Sequence, residues 1–184
     1  MKCLIYVTKS KPWLFFDKSI NYYSLSNKKV DNDLNGKIVA EFDGEVSTIT
    51  MFFSHWEHVV GYYTERKEPY RFFSYGDLLK ASCLNDNEIY NYLGCKDGYA
   101  INIKNLNIFD KPKKISDFYK STNEITFEPP LPLIKAPQNM CYAYDKDGNK
   151  YVVISVRPQW LAMILNGLKD VELRKVVLNC MKVN

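Results

Sequence analysis

Residues 154–175 read Ile154-Ser155-Val156-Arg157-Pro158-Gln159-Trp160-Leu161-Ala162-Met163-Ile164-Leu165-Asn166-Gly167-Leu168-Lys169-Asp170-Val171-Glu172-Leu173-Arg174-Lys175. The stretch is entered through Tyr151 to Val156, an apolar, β-branched run that reads as a strand. Pro158 then opens a helix at its first position. Trp160, Met163, Ile164 and Leu168 fall near helical spacing, and Gly167 stops the helix. Val171 to Val177 returns to a strand. Inside this strand, helix, glycine turn and strand lies the spaced set Gly167, Lys169, Glu172 and Arg174. Gly167 lets the backbone turn sharply out of the helix. Strand residues alternate sides, so Glu172 and Arg174 share a face, and Lys169 at the turn can join them. Two cations and a carboxylate at one mouth suit a phosphate, or a polar base edge beside one.

The spacing G-x-K-x-x-E-x-R resembles the signature of the ASCH domain family, a branch of the PUA-like β-barrels. Ser155 to Trp160 resembles that family's first strand and helix entry. In ordinary ASCH-like chains the signature lies near the N-terminus, whereas here it comes last. Residues 2–142 resemble what normally follows it: a first strand, a central hairpin, a helical segment, a last strand and a closing segment. The resemblance therefore implies an α+β, PUA-like barrel with peripheral helices, circularly permuted. One domain would span 1–184, with residues 151–184 completing the barrel begun by 1–142. The competing arrangement is a complete N-terminal domain followed by the stub of a second, and a stub with an unpaired strand is unstable.

The resemblance also implies a partner, RNA or a nucleotide-like ligand, because ASCH-like and PUA-like domains are associated with RNA binding. Some members cleave RNA or hydrolyse a modified nucleoside. The residues carried over are Gly167, Lys169, Glu172 and Arg174. In the nucleoside-hydrolysing relatives a hydroxyl residue tends to stand where this chain has Glu172, which departs from that reaction. Three readings stay open. One is an RNA-binding module with a basic cleft around the signature. Another is a ribonuclease or nucleoside amidohydrolase using Lys169 as base with Glu41 or Glu172. The third is a protein-interaction module docking through the aromatic segment 52–75.

Other residues are weighed against plainer roles. Glu172 and Arg174 could be a structural ion pair. Glu41 points opposite to Ala40 and Phe42 in its strand, and is either an acid/base group or part of a solvated face. Tyr6, Thr8 and Ser10 share one face and could bring hydroxyls to a cleft or simply line a barrel exterior. Ser155 and Arg157 share a face at the helix entry. Arg157 near a helix N-terminus is unfavourable for the dipole unless an anion sits there. Trp160 reads as core, and Trp13, after Pro12 in a loop, as the better stacking platform.

Composition sets the outer limits. The chain has 184 residues, 46% hydrophobic and 25% charged, which are globular proportions. Aromatics at 15% favour a β-rich core or a stacking surface. The net charge of +4 permits a nucleic-acid partner without demanding one, and the basic excess lies toward the C-terminal end. No apolar run is long enough for a transmembrane helix, and Cys3 to Val7 is too short for a signal peptide. Five scattered cysteines form no C-x-x-C pair, so a reducing cytoplasm is expected. His55 and His58 with Glu57 lack a third ligand, so no metal is expected. No Gly-rich phosphate loop, G-x-S-x-G or Rossmann fingerprint occurs, and no cofactor is expected.

Elsewhere the sequence predicts a strand over Cys3–Val7 and a polar surface loop over 17–36. Strands 38–42 and 45–53 would be joined by a hairpin-type turn at Asp43-Gly44. Helices are expected over 77–82 and 87–93, the second capped by Asn85 or Asp86 and ended by Gly94. A strand from Gly98 runs toward Phe109. The four prolines of 121–139 suggest a linker or surface strap, and Tyr142–Tyr144 a short strand.

Overall fold

A computed structural model describes residues 1–8, 34–52, 59–63, 75–94, 96–120 and 131–181. Ser10, Trp13, His55, Glu57, His58, most of the aromatic segment 52–75 and most of the polar loop 17–36 lie outside the described residues. The chain divides into two compact units, Met1–Asp43 with Asn105–Asn166, and Gly44–Lys104 with Gly167–Asn184. The elements are those of an α+β protein with parallel and antiparallel strand pairs mixed. No helix among the described residues is long and apolar enough to cross a membrane.

The first unit is built on β1 (Lys2–Val7), flanked on both sides. It runs antiparallel to β2 (Lys37–Phe52), with Lys2 opposite Asp43. It runs parallel to β6 (Lys150–Val156), from Cys3 opposite Val152 to Val7 opposite Val156. A short strand β5 (Met140–Tyr144) closes antiparallel on β6. Cys3 to Val7 and Val152 to Val156 are buried without a break. That explains why both read as continuous apolar runs rather than alternating ones, since a strand covered on both faces has no polar side. Leu4, Tyr6, Ile38, Phe118, Leu133, Ala143 and Val153 form one core cluster. Helix α3 (Pro158–Leu165) starts on Pro158 and buries Leu161, Ala162, Ile164 and Leu165. The end of the proline-rich segment does act as a strap, with Leu133 in the core and Pro132 bridged to Tyr119.

The second unit holds α1 (Tyr75–Ser82), α2 (Asp86–Leu93), β3 (Val59–Tyr63) and β7 (Val171–Arg174). It also holds the start of β4 (Gly98–Lys114), which pairs antiparallel with β7, Tyr99 opposite Arg174. Its core is Ile49, Leu78, Ile89, Leu93, Ala100, Val171 and Leu173. Asn85 caps α2 through a capping box, accepting from the Glu88 amide at 3.0 Å while Glu88 accepts from the Asn85 amide at 2.8 Å. Gly94 closes the helix in the left-handed region.

One expectation fails. No hairpin forms at Asp43-Gly44, because β2 runs unbroken from Lys37 to Phe52. The Asp43 side chain does not close a turn; it takes Lys2 at 3.1 Å and Asn105 Nδ2 at 2.9 Å. The strand changes partner instead, pairing β1 through Asp43 and β3 from Thr48 onward. A glycine inside a strand marks a change of course as well as a turn.

Candidate functional site

The signature residues meet in the second unit, at the C-terminal end of α1. A helix ends with carbonyls that have no partner of their own and with partial negative charge. Here a distant turn supplies partners for the last two, Ala81 and Ser82. Lys169 Nζ donates to the Ser82 carbonyl at 2.6 Å. The Asp170 amide donates to the Ala81 carbonyl at 2.9 Å. In return the Cys83 thiol donates to the Leu168 carbonyl at 2.9 Å. Gly167 makes this possible with a φ of 65°, in the left-handed region.

From there the charges run along β7. Lys169 Nζ lies 3.5 Å from Glu172 Oε2, and Arg174 Nη2 lies 2.8 Å from Glu172 Oε1. Glu172 and Arg174 thus share a face, and Lys169 joins them. All three are buried, Lys169 to 3% exposure and the others to 8%. Burial pushes the Lys169 ammonium below its ordinary pKa, and the Glu172 carboxylate opposes that shift. Burial likewise raises the Cys83 thiol, against the pull of Lys169. The arrangement keeps the Lys169 ammonium between the Ser82 carbonyl and the Glu172 carboxylate, out of solvent, and it ties α1 to β7.

The other expected site residues are not partners in these bonds. Thr8, Glu41, Ser155 and Arg157 belong to the first unit. Thr8 continues β1 through its amide to the Val156 carbonyl at 3.0 Å. The Ser155 hydroxyl is buried and donates to the Pro137 carbonyl at 2.6 Å, fastening the proline strap. Arg157 is exposed at the N-cap of α3, with no capping bond from its side chain. Glu41 accepts from Asn107 Nδ2 at 3.1 Å on the wall of a cavity. Ser10 and Trp13 lie outside the described residues.

Two features escaped the sequence reading. One is the end of α1, which has neither Gly nor Asn behind it; Cys83 takes the positive φ of 54° instead. That turn closes a local cap, the Cys83 amide on the Lys80 carbonyl and the Leu84 amide on the Leu79 carbonyl, both at 3.3 Å, and leaves the Ala81 and Ser82 carbonyls to the distant turn. The other is Lys175 Nζ, 5.2 Å from the ring centre of the exposed Tyr92, immediately after Arg174. No family model matches this chain, and no curated protein or solved structure matches it.

Proposed function

We propose that the chain is a nucleic-acid-binding protein of the ASCH-like kind, with RNA as its partner. The observation that carries the reading is the convergence of Lys169, Glu172 and Arg174 into one network. Directly beside it, Lys175 stands over the exposed ring of Tyr92. The buried charges hold β7 and its neighbours rigid, and the surface pair offers a cation for a phosphate and a face for a base. The circular permutation belongs to the same reading. It is supported by the seat of β6, which pairs with β5 on one side and β1 on the other and so is no unpaired stub.

The test is fluorescence anisotropy with single-stranded and structured RNA over a salt series. Binding should weaken as salt rises, and Lys175→Gln should reduce both the affinity and the salt slope. Salt-independent association, or none, sinks the reading.

The depressed pKa of Lys169 beside Glu172 favours a second reading, hydrolysis of RNA or a modified nucleoside with Lys169 as base. Incubation of the wild type and Lys169→Ala with RNA and a modified-nucleoside panel decides it. Product formed equally by both would remove Lys169 from the chemistry.

A further inference from the structure

The first unit contains a cavity of about 440 Å³ that the proposed RNA contact does not use. That volume is within the range of pockets that hold small organic ligands. Its walls carry three aromatic rings, Phe118, Tyr119 and Tyr151. Glu41, Asp117, Asp145 and Asp147 bring four carboxylates to the lining, against the two ammonium groups of Lys113 and Lys146.

Most of these charges already have work. Lys113 sits over the Phe109 ring at 4.1 Å and within 5.9 Å of Phe118. Lys146 lies 3.6 Å from Asp147. Asp117 accepts from the Lys114 amide at 2.8 Å. Asp145 accepts four hydrogen bonds, from the Asp147 and Asn149 amides, Asn149 Nδ2 and the Tyr151 hydroxyl. Glu41 differs in its burial. It is half-buried where Asp117 and Asp147 are exposed, and among the described residues its carboxylate takes one hydrogen bond, from the Asn107 side chain. The field inside is negative. The Tyr151 hydroxyl is held above its ordinary pKa by burial first and then by the nearby charges, Asp145 foremost and Glu41 among them. Aromatic faces beside a carboxylate select a flat cation, which stacks on the rings and forks onto the oxygens. An anion meets the opposite field.

We infer that this cavity is a binding site for a small organic cation, an amidinium or guanidinium group on a compact apolar body, with Glu41 as its counter-ion. The inference goes beyond the RNA reading and does not depend on it.

An isosteric charge series tests it by isothermal titration calorimetry: benzamidine, benzamide and benzoate. Benzamidine should bind at least about tenfold tighter than benzamide, and benzoate should not bind. Glu41→Gln keeps the Asn107 bond and should lose about tenfold of the benzamidine affinity. Lys113→Gln should change affinity in the other direction, a gain of about twofold, because it removes a like charge. A merely structural role for Glu41 and Lys113 would not give opposite signs. Agmatine alone binding assigns the site to free small molecules, and equal binding of a Gly-Arg-Gly amide extends it to arginine side chains. The inference is overturned if benzoate or benzamide binds as well as benzamidine, or if no cation binds at millimolar concentration. A folded Glu41→Gln with unchanged affinity overturns it too. Should Glu41→Gln fail to fold, the Lys113→Gln arm decides, and an unchanged or weakened affinity there overturns it.

Discussion

The ammonium of Lys169 donates to the carbonyl of Ser82, 87 residues earlier, across 2.6 Å. A side chain from the signature turn thus caps α1 from outside. The bond joins two segments that have no proximity in sequence, and it fixes the one lysine that both functional readings need.

The first prediction follows from that bond. Lys169→Met removes a charge-assisted hydrogen bond and leaves Glu172 buried with one cation fewer. Breaking a buried pair on one side costs about 3 kcal/mol, and urea denaturation should read a loss of that order. The double variant Lys169→Met/Glu172→Leu should recover part of it, because an apolar replacement strands no charge. If the single variant is as stable as the wild type, the cap and the pair contribute nothing.

Two glycines should respond differently to alanine. At Gly167 a Cβ would meet nothing within 4 Å, so only the left-handed backbone objects. That costs about 1 kcal/mol. At Gly98 the backbone is ordinary, but a Cβ would stand 2.6 Å from Leu93 Cδ2 and 3.3 Å from the Arg174 carbonyl. Overpacking of this kind costs about 1–3 kcal/mol. Leu93→Ala should partly rescue Gly98→Ala and leave Gly167→Ala unaffected. Additive behaviour of Leu93→Ala with Gly98→Ala in thermal denaturation would refute the packing account.

The ends of this network show what a sequence can and cannot disclose. Gly167, Glu172 and Arg174 were legible, because a glycine turn and strand alternation are local rules and the pairing obeys them. The α2 cap was legible to within one residue, Asn85 or Asp86, and the capping box with Glu88 settles it on Asn85. The burial of Lys169 was not legible, since its acceptor is on a helix far away in the chain. The failed turn at Asp43-Gly44 has the same origin. Local chemistry favours a hairpin there, but Lys2 and Asn105, both distant in sequence, take the Asp43 carboxylate. Ser155 reads as sharing a face with Arg157 at an anion-facing helix entry, but its hydroxyl goes to the Pro137 carbonyl of the strap, whose partnership no local rule discloses.

Asp145 gives an acid-side prediction. Burial raises its pKa, but the hydrogen bonds from Asn149, Asp147 and Tyr151 outweigh it, so the net shift is downward from the ordinary 3.8. A depressed folded pKa means that the unfolded chain binds more protons in the window below 3.8. The stabilisation is therefore present above that pH and is lost as pH falls through the folded value. Relative to Asp145→Asn, the wild type should hold its advantage at pH 5–7 and lose it below about pH 3.8. Chemical denaturation of both proteins from pH 7 to pH 2.5 measures the difference. A gap that stays constant across that range would show that the loop bonds do not favour the charged carboxylate.

The position of β6 yields the sharpest prediction about chain organisation. It pairs with β5 on one side, Cys141 opposite Val153, and with β1 on the other, Leu4 opposite Val153. Deleting residues 151–184 would leave both neighbours with an open edge and strip Val153 from a cluster containing Leu4, Tyr6 and Phe118. It would also remove β7, and with it Val171 and Leu173 from the second unit's core. A tail can be trimmed without such losses, whereas strands paired on both sides cannot. The truncated chain should therefore show no cooperative thermal transition, and its amides should exchange freely with solvent. A truncated protein that still melts cooperatively near the wild-type temperature would mean that 1–150 folds alone, and the permuted single-domain reading would fall with it.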